Sequence, residues 1–320
     1  MNVVIQSTGV INHQTYQYSH GKEKNVRRFT GAWPALATPI TEHGEINVPV
    51  LRKTVEHLVG KQVDGLYIGG TTGEGIFMSL HSRQLVAETV SDQVNSRIPI
   101  IIHVGSISVD DAITLAKHAE YIKANGISSV VTPYYKNVDS LYHYYEQIGS
   151  SVPEMPLLAY MFGGTVNAVS LMQKLMKIPT LVGAKYSGAD MFEFRQLVQL
   201  REENWTIFSG MDEQCLFAAM SGAHGNVGST LNFMPGVYRE IRKSAEEGNY
   251  HYSMELQNRA NKVTRIMQSY GFERSIKPVM RKIGFDFGKP CLPNLPLLEK
   301  DLHGLYNELE KTDFLELVQM

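Results

Sequence analysis

The sequence predicts a (β/α)8 barrel, a TIM barrel, followed by a C-terminal helical appendage. Three observations lead there. Eight short apolar runs recur along the first two thirds of the chain. Helical patterns separate them, and alternating strand and helix implies a parallel sheet. Eight such units suit a closed barrel better than an open sheet. The first run is followed by no dinucleotide-type glycine fingerprint, which also argues against a doubly wound fold.

The runs are "WPALATP" from Trp33, "GLYIGG" from Gly65, "IPIIIHVG" from Ile98, "SSVVTP" from Ser128, "PLLAY" from Pro156, "LVGAK" from Leu181, "WTIFSG" from Trp205 and "HGNVGST" from His224. They are too short for buried helices, and Gly, Pro or hydroxyl residues end them, which marks strands. Between them, Leu51, Val55, Leu58 and Val59 share one helical face, as do Leu141, Tyr144, Tyr145 and Ile148. Residues 110–123 and 190–200 are also helix-like. From about Pro235 to Met320 only helices are expected. "YHYSMELQNRANKVTRIMQSYG" is a long one, "GKPCLPNLP" is a break, and Leu298, Leu302, Leu305 and Leu309 step along the last face. The expected divisions are an N-terminal extension over 1–28, a catalytic barrel over 29–235 and a helical region over 236–320. The extension is polar and aperiodic, and reads as a flexible segment or an arm packing on a neighbour.

Composition narrows the function. Of 320 residues, 43% are hydrophobic and 19% charged, which suits a globular protein with a sizeable core. A formal net charge of −2 implies no nucleic-acid partner. The one locally basic stretch, Lys22 to Arg28, is too narrow for a phosphate-binding face. No apolar stretch approaches the roughly 20 residues of a membrane helix, and the N-terminus lacks the pattern of a secretory signal. The two cysteines, Cys215 and Cys291, fit no metal or redox spacing and suggest a reducing, cytoplasmic setting.

In this fold the reactive residues stand at the C-terminal ends of strands. The sixth run ends in Lys185, the fifth in Tyr160, and the second in Thr71 and Thr72. The seventh leads to Asp212 and Glu213, and the eighth to Ser229 and Thr230. Taken alone, a strand-end lysine turns to solvent, a tyrosine fills a core, and hydroxyls or acids cap turns and helices. Glu74 reads as local support for its turn. Together they suit one chemistry. Burial disfavours a charged amine, and a neutral amine attacks a ketone to form a Schiff base. Tyr160 would shuttle the proton. Thr71, Thr72 and the backbone N–H groups of their turn would hold the carboxylate of an α-keto acid.

"GGTTGEG", "VTPYY", Tyr160 closing "PLLAY" and "GAKYSGAD", in that order, resemble the pyruvate-dependent class I aldolase family. That family includes dihydrodipicolinate synthase and N-acetylneuraminate lyase. The resemblance implies that Lys185 is the Schiff-base lysine, Tyr160 the proton shuttle, and Thr71 and Thr72 the binders of the pyruvyl carboxylate. Tyr135 matches a tyrosine that reaches a neighbouring subunit's site. The synthases usually carry arginine five residues after the shuttle tyrosine, where this chain has Thr165. "GMDEQ" and "VGSTLN" are similar to the lyase branch, so Asp212, Glu213 and Ser229 would bind the sugar hydroxyls, joined by Ser187 and the Gly210 carbonyl. The family's usual proline after the fifth strand is Gly163 here, which predicts a looser or reshaped loop.

The resemblance implies reversible cleavage of N-acetylneuraminate to pyruvate and N-acetylmannosamine, with no cofactor or metal, in a homotetramer. The alternatives are an aldolase for another 2-keto-3-deoxy sugar acid, a dihydrodipicolinate synthase-like enzyme and a non-catalytic sugar-acid-binding barrel. Binding alone needs neither Tyr160 nor Lys185.

Overall fold

The computed structural model describes residues 29–130, 137–164 and 166–320. The predicted extension over 1–28, Tyr135 and Thr165 lie outside the described residues. Eight parallel strands alternate with helices: β1 (Gly31–Pro34), β2 (Leu66–Ile68), β3 (Ile100–His103), β4 (Gly126–Val130), β5 (Leu157–Phe162), β6 (Leu181–Ser187), β7 (Thr206–Ser209) and β8 (Gly225–Gly228). Their order is β1-β8-β7-β6-β5-β4-β3-β2. Between β1 and β2 the ring is joined by the bridge Ala35↔Tyr67 and by Leu36 N–H donating to the Tyr67 carbonyl at 2.8 Å. This is the (β/α)8 barrel that the apolar runs predict.

The helices are α1 (Val48–Gly60), α2 (Leu80–Val94), α3 (Val109–Tyr121), α4 (Val138–Ser151), α5 (Ala168–Leu175), α6 (Met191–Leu200), α7 (Cys215–Met220) and α8 (Pro235–Glu246). Then follow α9 (Tyr250–Ser269), α10 (Phe272–Lys282), α11 (Glu299–Glu310) and α12 (Phe314–Gln319). Helices α1 to α6 each begin on a polar cap: Asn47, Ser79, Ser108, Asn137, Asn167 and Asp190 accept from backbone N–H groups of the first turn. Each cap contributes about 1 kcal/mol. Helix α7 has no such cap, because the chain first makes a 3-10 turn over Asp212–Gln214. Helix α8 packs on α7 and β1 and completes the ring, on the far side of residue 235.

Apolar side chains form three layers. Leu51, Val55, Leu58, Leu141 and Ile148 belong to the layer between strands and helices. Phe29, Trp33, Ile101, Leu158 and Phe208 fill the barrel interior, with Tyr67 and Tyr160 in the same cluster. The third layer joins α8 to the later helices through Leu256, Val263, Ile276, Leu305 and Leu309. Leu298 stands one residue before α11 and is exposed.

Candidate active site

Nine of the predicted site residues line one cavity of about 270 Å³ at the C-terminal ends of the strands: Thr71, Thr72, Tyr160, Lys185, Ser187, Gly210, Asp212, Glu213 and Ser229. A wider hollow of about 710 Å³ opens at the opposite end of the barrel, beside β1, β8 and α8, and none of these nine residues lines it.

The register of β5 and β6 sets the centre. Tyr160 and Lys185 are direct partners across the two strands. Both are buried, and the Lys185 Nζ stands 4.1 Å from the Tyr160 ring centroid and 4.8 Å from that of Tyr67. No carboxylate among the described residues lies within ion-pair distance of that nitrogen. The amine therefore meets the cavity over two ring faces, with no counter-ion among the described residues.

Below the rings lies His103, buried on β3. Val130 N–H donates to its Nε2 at 3.1 Å, so the ring proton resides on Nδ1, which donates to the Gly69 carbonyl at 3.1 Å. Burial, with Arg83 and Lys185 nearby, holds the imidazolium far below the usual histidine range. A neutral imidazole thus pins the start of the "GGTTGEG" turn to β4. Within that turn the Thr72 hydroxyl meets the Ser229 hydroxyl at 2.6 Å. Ser229 so links the threonine turn to the end of β8.

Across the cavity stand the two acids. Asp212 is buried, and its Oδ2 accepts from Thr230 N–H at 2.8 Å and the Thr230 hydroxyl at 2.7 Å. Its Oδ1 has no partner among the described residues. Burial pushes its carboxyl up to about 6, against the two Thr230 donors and with Glu213 adding to the rise. Neither acid caps α7, so the alternative reading as a helix cap fails. The backbone of this pair is fixed instead by α9: Gln257 donates to the Asp212 carbonyl and Asn261 to the Glu213 carbonyl, each at 3.1 Å.

Ser187 presents a buried hydroxyl without a partner among the described residues. A Cβ at Gly210 would lie 1.9 Å from Ser187 Oγ and 2.9 Å from Lys185 Cε, so glycine leaves both side chains in place.

Gly163, at the family's usual proline position, is closely surrounded. A Cβ at this position would lie 2.7 Å from Gly188 Cα and 3.2 Å from the Tyr186 hydroxyl. Its N–H donates to the Ser187 carbonyl at 3.0 Å. The glycine supplies space and a donor that proline lacks. Gly163→Pro is therefore expected to destabilise the fold by about 2 kcal/mol or more. A thermal unfolding midpoint equal to that of the parent protein would contradict this.

The sequence reading missed the far wall. Thr264 and Gln268 on α9, and Phe272, Glu273 and Ile276 on α10, line the same cavity. A helical pattern marks an apolar face, but not which barrel end that face meets, so no signal in the sequence assigns them. Tyr67 was likewise read only as part of a strand.

A model of the dihydrodipicolinate synthetase family matches residues 28–312. The chain is 33% identical over 285 residues to the N-acetylneuraminate lyase of Danio rerio, covering 85% of this chain and 93% of that protein. It is 31% identical over 307 residues to the N-acetylneuraminate lyase of Homo sapiens, covering 92% and 96%. Among solved structures, Proteus mirabilis N-acetylneuraminate lyase superposes with a TM-score of 0.85 at 28% identity, covering 90% of this chain and all of that one.

Proposed function

The chain belongs to the dihydrodipicolinate synthetase family, and from that premise we propose that it is a Schiff-base lyase of N-acetylneuraminate. The observation that carries the reading is the Tyr160–Lys185 register pair, which sets an amine 4.1 Å from a tyrosine ring inside a cavity that hydroxyls and carboxylates also line. The likeness to N-acetylneuraminate lyases across most of the chain supports the substrate.

The chemistry follows from the residues. The Lys185 amine adds to the C2 ketone of the open-chain sugar acid, and loss of water leaves an iminium. Thr71, Thr72 and the turn hold the C1 carboxylate beside it. Tyr160 gives its proton to the hydroxyl that leaves C2 as water, then takes the proton of the C4 hydroxyl as the C3–C4 bond breaks, and the iminium receives the electron pair as an enamine. N-acetylmannosamine departs as the aldehyde. Protonation at C3 and hydrolysis of the imine release pyruvate and restore the amine. Asp212, Glu213, Ser187 and the Gly210 carbonyl hold the sugar hydroxyls. Release of pyruvate from N-acetylneuraminate, followed in a coupled assay beside 2-keto-3-deoxygluconate, tests the assignment. No turnover of the former with turnover of the latter would reject it.

The proposal includes a homotetramer in which Tyr135 reaches a neighbouring subunit's site, and a reducing, cytoplasmic setting. A monomer in a sedimentation measurement would remove the first part.

Asp212 makes the sugar step sensitive to pH. Its carboxyl is raised to about 6, so it is ionised only above that pH. Thr230 occupies Oδ2, and a proton therefore settles on Oδ1, the free acceptor. KM for N-acetylneuraminate is expected to rise as pH falls through about 6, and Asp212→Asn to flatten that rise. A KM that stays level across this range would exclude the role.

A further inference from the structure

We propose that the buried Glu74–Lys277 ion pair is the positioning element of the carboxylate-binding turn, locking that turn onto helix α10. The proposal rests on the Schiff-base reading, in which Thr71 and Thr72 hold the pyruvyl carboxylate.

Glu74 follows the two threonines and Gly73. It sits in the left-handed backbone region at φ 57°, a conformation that disfavours a side-chain-bearing residue. Glycine would adopt it without strain, so the carboxylate itself is what the position uses. Its Oε2 stands 2.7 Å from Lys277 Nζ, and the two side chains are 9% and 6% exposed. Its Oε1 accepts from Cys291 N–H at 3.0 Å and from the Asn294 side-chain amide at 3.3 Å. Lys277 also donates to the Lys289 carbonyl at 2.8 Å. One carboxylate thereby joins the turn to α10 and to the loop after it.

The same helix carries Phe272 and Ile276 into the cavity. The Glu74 backbone is in turn part of the turn: its N–H donates to the Thr71 carbonyl at 3.0 Å. Neither Glu74 nor Lys277 lines the cavity. The pair acts through Thr71 and Thr72, by fixing them relative to the opposite wall. A buried pair is poor evidence of net stability, because desolvation offsets attraction, and its best-attested use is to fix one arrangement.

The test uses the full chain with Glu74→Gln, Lys277→Met and the double variant. The readouts are the half-saturating pyruvate concentration for borohydride labelling, the KM and kcat split with N-acetylneuraminate, and the unfolding temperature. Each single variant leaves a buried group unpaired and should unfold at lower temperature. The double variant leaves no lone buried charge and should recover most of that loss. Its half-saturating pyruvate and KM should nonetheless stay raised about 10-fold or more, the scale of a small misplacement at a site, with kcat falling less. Wild-type half-saturation in the double variant overturns the proposal. If the double variant does not fold, Glu74→Asp decides, since it keeps both charges but withdraws the carboxylate by one methylene. A raised half-saturation there supports the role, and an unchanged one overturns it. A wild-type chain that pyruvate and borohydride do not label overturns the Schiff-base reading itself, and this proposal with it. A labelled wild type with unaltered variants overturns only the role of the pair.

Discussion

Lys185→Ala is expected to abolish both pyruvate release and covalent labelling. Borohydride reduces an imine to a stable amine, so pyruvate should tag the peptide that contains Lys185, and the variant should carry no tag. Activity should fall by at least about 10⁴-fold, the scale for removing a nucleophile. The fold should survive, because the side chain faces a cavity and makes no ion pair with the described residues that its loss would break. It gives up its place over the rings of Tyr67 and Tyr160. Mass spectrometry of the reduced adduct and an unfolding curve check both parts. A tag on a different lysine, or pyruvate release from the untagged variant, would show that the chemistry runs elsewhere.

Tyr160→Phe is expected to separate imine formation from carbon–carbon cleavage. The ring keeps its neighbours: Phe162 at 4.9 Å, and Tyr67 and His103 each at 6.2 Å between centroids. The hydroxyl hydrogen-bonds to none of the described residues, so its removal orphans no buried group. Stability should hold, and the pyruvate tag on Lys185 should persist. Turnover of N-acetylneuraminate should drop by about 10² to 10⁴-fold, the usual scale for a general acid–base group. Unchanged kcat in a variant that still carries the tag would assign the proton transfer to another group.

The barrel was legible because its signal is local and repeated. Each run such as "IPIIIHVG" is buried on both faces, so apolar character is continuous and its length is that of a strand. The central residues were legible for a related reason. Strand ends at the catalytic face need no polar side chain for packing, so a lysine or tyrosine there stands out. Asp212 was found by motif, yet its environment was not. Burial raises its carboxyl, while Thr230, 18 residues away on another loop, holds Oδ2 and opposes that rise. The close approach of Tyr186 and Gly188 to Gly163, from the neighbouring strand and its loop, has no trace in the sequence.

The sequence by itself determined the eight-fold strand–helix order, the presence of an amine and a phenol on neighbouring strands, and the threonine turn. These follow from period, length and residue type at strand ends. Only the tertiary structure decided how the cavity is walled and held. Helices α9 and α10 bring Gln268, Phe272 and Glu273 to the mouth, Gln257 and Asn261 grip the acid pair, and Lys277 reaches back some two hundred positions to Glu74. An amphipathic helix states that one face is buried but not its partner. That choice is made by packing, which weighs every surface of the barrel at once and leaves no trace in local periodicity.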